Sequence, residues 1–510
     1  MQEVAIVGGG LCGLALACRL QSRGIDCGIY EARNRLGGRI LSAPSVLNGA
    51  ALDLGPTWFW PHAEPHMRHW AAELGLEAFP QHDTDTVIQL RAAHGTPQSL
   101  YAPALHGGAQ RLVGGMAALV QALAARVDGG RIHLDHALTA LLDHDDHVEL
   151  HFEAHGQSIV RTARRVVLAL PPRLADEHVR FSPELPPDLR AAMRTTPTWM
   201  GSMAKVVVAY SAAFWRERGV SGNAFVTHDK AVLTEVWDAC GKGGGGAALA
   251  GFLALPLPDA GQLPALIHDQ LAELFGAQTQ EGETHVQAWG REAYTASALD
   301  RAQPMVRPEE LGDPRLAAVY WNGRLLLGGT ETAPRGGHME GALAAAARIE
   351  AQLLGTPAQG VARTDAEMAL EEFAPWVAQQ RSLAFSAYEG QLKQALSDHR
   401  SQDLTRHCLL ATVQGVYGES LAHLQSLGTQ QVASASEATA LARAILGSFE
   451  GFNEELLGRA LAFNRTSCAM SNFPDEHQPG ADYLNRIRTD LRDAWRRFAF
   501  DVHDLLMGER

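Results

Sequence analysis

Val4-Ala5-Ile6-Val7-Gly8-Gly9-Gly10-Leu11-Cys12-Gly13-Leu14 opens the chain and decides its fold. Val4 to Val7 read as a short buried strand, and the run from Leu14 to Arg23 reads as a helix. Gly8, Gly10 and Gly13 lie between them at GxGxxG spacing. The first glycine permits a tight turn, the second lets a pyrophosphate approach the backbone, and the third lets helix and strand pack closely. The helix N-terminus at Leu11 and Cys12 then presents free N–H groups and a partial positive charge to phosphates. A second strand, Cys27 to Tyr30, ends at Glu31, where a carboxylate can accept hydrogen bonds from a ribose. GxGxxG alone is a weak signal that any glycine-rich turn can mimic; strand, helix and acid together specify a dinucleotide site.

Working outward, the 510 residues are enough for more than one domain. Formal charge is −14, from 43 Lys+Arg against 57 Asp+Glu, and no basic block stands out. A nucleic-acid role therefore has no electrostatic support. With the first strand at Val4 no signal peptide is expected, and no run of about eighteen apolar residues suggests a membrane span. Cys12, Cys18, Cys27, Cys240, Cys408 and Cys468 are scattered, so reduced thiols in the cytoplasm are the expectation. Two histidine groups, His62/His66/His69 and His144/His147/His151, imitate metal spacing. Pro65 interrupts the first and a turn divides the second, so no metal site is expected.

The residues after Glu31 extend the site. Ala32 and Arg33 are followed by Arg35-Leu36-Gly37-Gly38-Arg39, a second glycine turn with a guanidinium at each end. Further on come Asp53-Leu54-Gly55-Pro56-Thr57-Trp58, then Val113-Gly114-Gly115-Met116 before a helix, and a strand carrying Ala137. Lys205 lies in AKVVVAY, Trp289 in WGREAYTASAL, and GGTETAPRGGHMEGA runs from Gly328 to Ala342. These segments, in this order over residues 1 to about 355, resemble the flavin-containing amine oxidase family of monoamine, polyamine and L-amino-acid oxidases.

The resemblance implies FAD. Gly8, Gly10, Leu11, Cys12, Gly13, Glu31, Ala32, Arg33, Gly38 and Arg39 would hold its adenosine and pyrophosphate side. Gly55, Pro56, Thr57 and Trp58 would face the flavin, and Ala137 would meet the adenine. In the closing motif Gly329 and Glu331 would bind the ribityl–phosphate region, and His338, Met339, Glu340 and Ala342 would start a helix aimed at the ring. Lys205 would hold a water beside flavin N5, with Trp289 close to the ring and His338 on the substrate side; these three are the catalytic candidates. A solvated lysine at a strand edge is the plain alternative for Lys205.

The implied reaction moves a hydride from an amine α-carbon to flavin N5. The imine hydrolyses to a carbonyl and ammonia or an amine, and O2 is reduced to H2O2. Three departures qualify the likeness. Ala298 occupies the place of the covalent enzymes' cysteine, so the FAD would be non-covalent; Leu299 and His338 replace the two tyrosines that align a simple amine. Trp58, Trp60 and Trp321 are open candidates for the wall of the site.

The expected fold is α/β. A Rossmann-like FAD-binding domain is built from residues 1–79, 108–195 and 320–356, an interleaved α+β substrate-binding domain from 80–107 and 196–319, and an all-α C-terminal domain from 363–510. The last rests on helical spacing at Leu409, Val413, Tyr417, Leu421 and Leu424, and at Leu441, Ile445, Phe449, Phe452 and Leu456. It reads either as a lid over the flavin entrance or as a docking bundle, including one that forms a homodimer. The partners expected are an amine or amino acid and O2. Two other functions stay open: a related flavoprotein that dehydrogenates a C–C bond or oxygenates an amino acid, and a non-catalytic FAD-bound protein that engages a partner.

Overall fold

The structure is a computed structural model of the chain. It describes residues 1–510 except 85, 94, 103–104, 304–310, 335, 356–364, 398–402, 428–434, 468–469, 471–472, 478 and 508–510. Cys468 and the expected domain junction at 356–363 lie outside the described residues; the other five cysteines are free and buried. The chain divides into two compact units, Met1–Val361 and Ala362–Arg510.

In the first unit Gln2–Val7 lies between Cys27–Tyr30 and Gln157–Leu168, parallel to both. Leu325–Leu327 continues the parallel set beyond Gln157–Leu168, and Ile132–His133 continues it beyond Cys27–Tyr30. Cys27–Tyr30 and Leu325–Leu327 are buried throughout, which explains their continuous apolar runs where a half-exposed strand would alternate. Gln157–Leu168 changes character along its length. Its exposed first half pairs antiparallel with Val148–Ala154, and its buried last residues join the parallel set. The parallel strands end along one edge, with Gly8, Glu31, Ala169 and Gly328 next in sequence.

Leu11–Ser22 crosses from the first strand to the second and packs against a later helix, His338–Leu354. Both contribute to one core that includes Leu14, Leu16, Leu343, Ala346 and Ile349. Each buried Leu or Ile there is worth roughly 1.5–3 kcal/mol. At the rim of the pair Glu350 accepts from Arg19 at 2.9 Å and from Arg23 at 2.6 Å. Gly8 and Gly13 set the turn between strand and helix. Gly8 has φ +109°, and a Cβ on Gly13 would stand 2.0 Å from the Gly8 carbonyl oxygen. No side chain larger than hydrogen fits at Gly13 without moving the helix off the strand.

A second sheet in this unit orders its strands Glu283–Ala288, Ala204–Ala209, Ala248–Leu253, Leu233–Asp238, Ala224–Val226, Thr86–Leu90 and Gln98–Tyr101. Ala204–Ala209 is buried at all six positions. That accounts for its Val-rich sequence and makes Lys205 a charge embedded in a core strand.

The second unit is helical: Asp365–Ser397, Leu404–Ser426, Ala435–Gly447, Phe452–Thr466, Pro474–His477 and Ala481–Met507. Leu409, Val413, Tyr417, Leu424, Leu441, Ile445, Phe449, Phe452 and Leu456 are buried in its core, while Leu421 is half-buried against it. Glu476 is buried and accepts from the Leu404 and Thr405 backbone N–H groups at 2.6 and 3.0 Å, capping the helix that begins there. No helix among the described residues is long and apolar enough to cross a membrane.

Candidate active site

Open α/β sheets bind ligands beyond the carboxyl ends of their parallel strands. A cavity of about 320 Å³ lies at that edge, lined by Gly8, Gly10, Glu31, Ala32, Arg33, Ala169, Leu170, Gly329 and Thr330 from the four strand-end loops. Leu11 and Cys12 line it at the start of Leu11–Ser22, whose first turn has no side-chain cap. A Cβ built on Gly10 meets nothing nearer than the Gly38 Cα at 4.0 Å, so this turn is open where a phosphate would approach. Glu31 is held in place by two backbone donors, Gly9 N–H at 2.7 Å and Arg33 N–H at 2.9 Å. Arg33 donates to Thr295 Oγ1 at 2.7 Å. Tyr30, His136, Ala137, His178 and Val179 also line the cavity. The uncapped helix end, the open glycine and the fixed acid fit the pyrophosphate and ribose of a dinucleotide.

Lys205 is fully enclosed and donates to the Gly55 carbonyl at 2.8 Å and to Thr57 Oγ1. Its Nζ lies 5.1 Å from the Trp237 ring centroid. Burial lowers its pKa from 10.5 to about 7; the Asp53 carboxylate works in the opposite direction. Asp53 is itself buried, accepting from Ser42 Oγ at 2.5 Å and Met116 N–H at 2.8 Å, and loss of water pushes its pKa up. Trp289, buried at the end of Glu283–Ala288, donates from Nε1 to the Leu54 carbonyl at 3.1 Å. A wall of rings continues from there. Trp237 stands 5.0 Å from Phe252 and 5.0 Å from Trp58, Trp58 lies 6.4 Å from Trp60, and Trp60 stacks on His338 at 5.5 Å. Trp199 flanks His338 at 5.6 Å.

Gly38, Arg39, Gly55, Pro56, Thr57, Trp58, Ala137, Met339 and Ala342 line the cavity with the residues above, as do Lys205, Trp289 and His338. Three expected contacts stand behind the wall. Gly13 is consumed by helix–strand packing. Glu331 is fully buried, binding Arg39 at 2.6 and 3.2 Å and the Trp199 N–H at 3.0 Å, so it aims the guanidinium and does not itself reach the cavity. Glu340 accepts from the His66 and Met67 N–H groups and so caps the helix Pro65–Glu73. Ala298 and Leu299 are exposed in the short helix Ala298–Ala302, outside the lining. Tyr294 and Thr295 of that segment face the cavity instead. Trp321 is also displaced, lying against Phe181 on another core.

A dinucleotide cradle on a Rossmann-like sheet, joined to a buried lysine and an aromatic wall, is the architecture of a dinucleotide-dependent oxidoreductase. The family model for flavin containing amine oxidoreductases matches residues 86–354, and that for an NAD(P)-binding Rossmann-like domain matches residues 6–74. The chain belongs to the flavin containing amine oxidoreductase family. A flavin-containing amine oxidase of Danio rerio is 28% identical over 260 residues, 49% of this chain and 48% of that protein. The chain thus spans about half the length of this relative. A putative flavin-containing monoamine oxidase of Mycobacterium tuberculosis is 25% identical over 458 residues, covering 69% of this chain and 96% of that one. Among solved structures, putrescine oxidase bound to putrescine has the same fold at TM-score 0.57 and 20% identity, covering 69% of this chain and 99% of that one. Cyclohexylamine oxidase from Brevibacterium oxydans, at 18% identity, has the same TM-score and coverage.

Proposed function

We propose that the protein is an FAD-dependent oxidase of a neutral amine with an apolar body and no carboxylate. The carrying observation is how the cavity's cations are used. Arg39 is bound by Glu331, Arg33 lies 3.7 Å from Glu31 and 3.4 Å from Glu292, and Lys205 is committed to Gly55 and Thr57. An amino-acid carboxylate needs a guanidinium or ammonium partner, and among the described residues each of these lining cations is already engaged. Rings, by contrast, are plentiful on the wall, and apolar surroundings favour the unprotonated amine that can react. The same observation disfavours oxygenation of an amino acid.

When bound, FAD supplies the chemistry, accepting a hydride equivalent from the amine α-carbon and passing the electrons to O2 to give imine and H2O2. The chain positions and dries the site. Glu31 and the N-terminus of Leu11–Ser22 would hold the ribose and pyrophosphate, and Arg39 is aimed by Glu331. Trp58, Trp60, Trp199 and His338 would confine the substrate so that its C–H bond has one approach. Non-covalent attachment is supported by the lining thiol. Cys12 lies at the phosphate-facing helix start, and burial pushes its pKa up to about 11.

The test is a panel of purified-enzyme assays with benzylamine, putrescine, cyclohexylamine and L-phenylalanine. One H2O2 and one carbonyl product per amine consumed is expected, with no turnover of the amino acid. Turnover of L-phenylalanine without turnover of any amine contradicts the reading.

A further inference from the structure

Glu64 is a buried carboxylate directly behind a cavity residue. Its Oε1 lies 2.9 Å from His338 Nδ1, and its Oε2 accepts the Trp60 backbone N–H at 3.1 Å. His338 is oriented with unusual care. Its φ of +53° is left-handed, a conformation that costs a residue with a Cβ about 1–3 kcal/mol. Thr330 Oγ1 helps hold it there, donating to the Gly337 and His338 carbonyls. The imidazole lies between Trp60 and Trp199 with 47% of its side chain exposed, and it lines the cavity. Among the described residues Glu64 is its hydrogen-bond partner.

Resting on the amine-oxidase reading, we propose that Glu64 and His338 form a proton-accepting dyad for the incoming substrate. A carboxylate oxygen can only accept, so Nδ1 carries the imidazole proton and Nε2 keeps its lone pair on the opposite side of the ring. An amine arrives from water mostly as ammonium. One N–H bond of that ammonium breaks, its electron pair stays on the substrate nitrogen, and the proton forms a new bond to His338 Nε2. The buried Glu64 carboxylate then faces the imidazolium. No oxidation state changes, and the neutral amine is left for the redox step. Glu64 is the positioning residue and His338 the group that meets substrate. Among the described residues, the charges near the pair have other partners: Glu340 accepts from the His66 and Met67 N–H groups, Glu331 binds Arg39 directly and both bind the Trp199 backbone, Arg68 donates to the Pro61 carbonyl, and Lys205 donates to Gly55 and Thr57.

Two substitutions test this in the flavin-loaded protein. In Glu64→Gln the amide oxygen must stay on the Trp60 N–H, which turns the NH2 group toward Nδ1. The histidine then has to reverse its tautomer and present an N–H from Nε2. His338→Asn keeps a donor for Glu64 and removes the second ring nitrogen. With 15N-labelled histidine, NMR should show Nδ1 protonated in the wild type and Nε2 protonated in Glu64→Gln. For benzylamine at pH 7, kcat/KM should fall about 100-fold in His338→Asn and at least 10-fold in Glu64→Gln. Both deficits should close as pH approaches about 10, where the free amine is already neutral. Unchanged tautomers, or a deficit that persists at every pH, overturn the dyad. Variants that track a wild type reduced by amines overturn the dyad alone, whereas a wild-type flavin that no amine reduces overturns the function and the dyad together.

Discussion

At the scale of single residues, Lys205 places a cation where the strand around it is wholly apolar. Its pKa falls from 10.5 to about 7 on folding, so the folded state binds the proton less tightly than the unfolded chain. Below pH 7 the cost of the buried charge is fully present; between pH 7 and 10.5 the unfolded chain holds more protons and stability rises with pH. Lys205→Met removes that cost but leaves the Gly55 carbonyl and Thr57 without their donor. The variant should be more stable than the wild type at pH 6 in urea unfolding, and that advantage should shrink from pH 7 upward and reverse above pH 10.5, where only the lost donor remains. A loss of stability that is the same at every pH would show that Lys205 is charged and well solvated in the native state.

At the scale of elements, the turn Gly8–Gly13 fixes how closely Leu11–Ser22 approaches its strand. Gly13→Ala brings a methyl to about 2 Å from the Gly8 carbonyl, so helix or strand must shift. Destabilisation of roughly 1–3 kcal/mol is expected. Flavin content after purification should drop with it, because the same helix end would hold the pyrophosphate. Normal flavin content and melting temperature would contradict this. The turn was legible in sequence because its residues are local and their spacing carries the mechanism. Glu31 was legible for the same reason. The ring wall is legible only in part: Trp58, Trp60 and Trp289 are candidates in the sequence, while Trp199, Trp237 and Phe252 are not. Phe252 lies across from Lys205 only through strand register, and Trp199 reaches His338 from a segment far away in the chain. Glu64 gave no signal, since a glutamate before Pro65 reads as a helix start until His338 is seen beside it. After Trp289 a fixed offset leads to Ala298 and Leu299 in an exposed short helix, whereas the loop before it turns Tyr294 and Thr295 into the cavity.

At the scale of the whole molecule, the two units have separate hydrophobic cores. The residues that bury Leu14, Leu343 and Ile349 share no member with those that bury Leu409, Ile445 and Phe498. A chain ending at residue 361 should therefore fold and bind flavin. Its kcat/KM for amine separates the two roles considered for the helical unit: an unchanged value fits a docking bundle, and a fall fits a lid. Truncated protein that is insoluble, or that lacks flavin, would contradict the independence of the cores. Helical periodicity made this unit legible, because a bundle is built from local 3.6-residue patterns. The first unit's interleaved sheets depend on distant strand pairing, which no local pattern reveals.

Amine oxidation in this cavity through a bound, removable flavin is the function proposed for the protein. Mixing the protein with benzylamine under anaerobic conditions, while following the yellow flavin absorbance, tests it most directly. The account predicts rapid bleaching that saturates with amine, recovery of colour with stoichiometric H2O2 when air is readmitted, and release of FAD into the supernatant on acid precipitation. Flavin that stays oxidised with every amine tried, yet bleaches with a substrate lacking nitrogen, would contradict it.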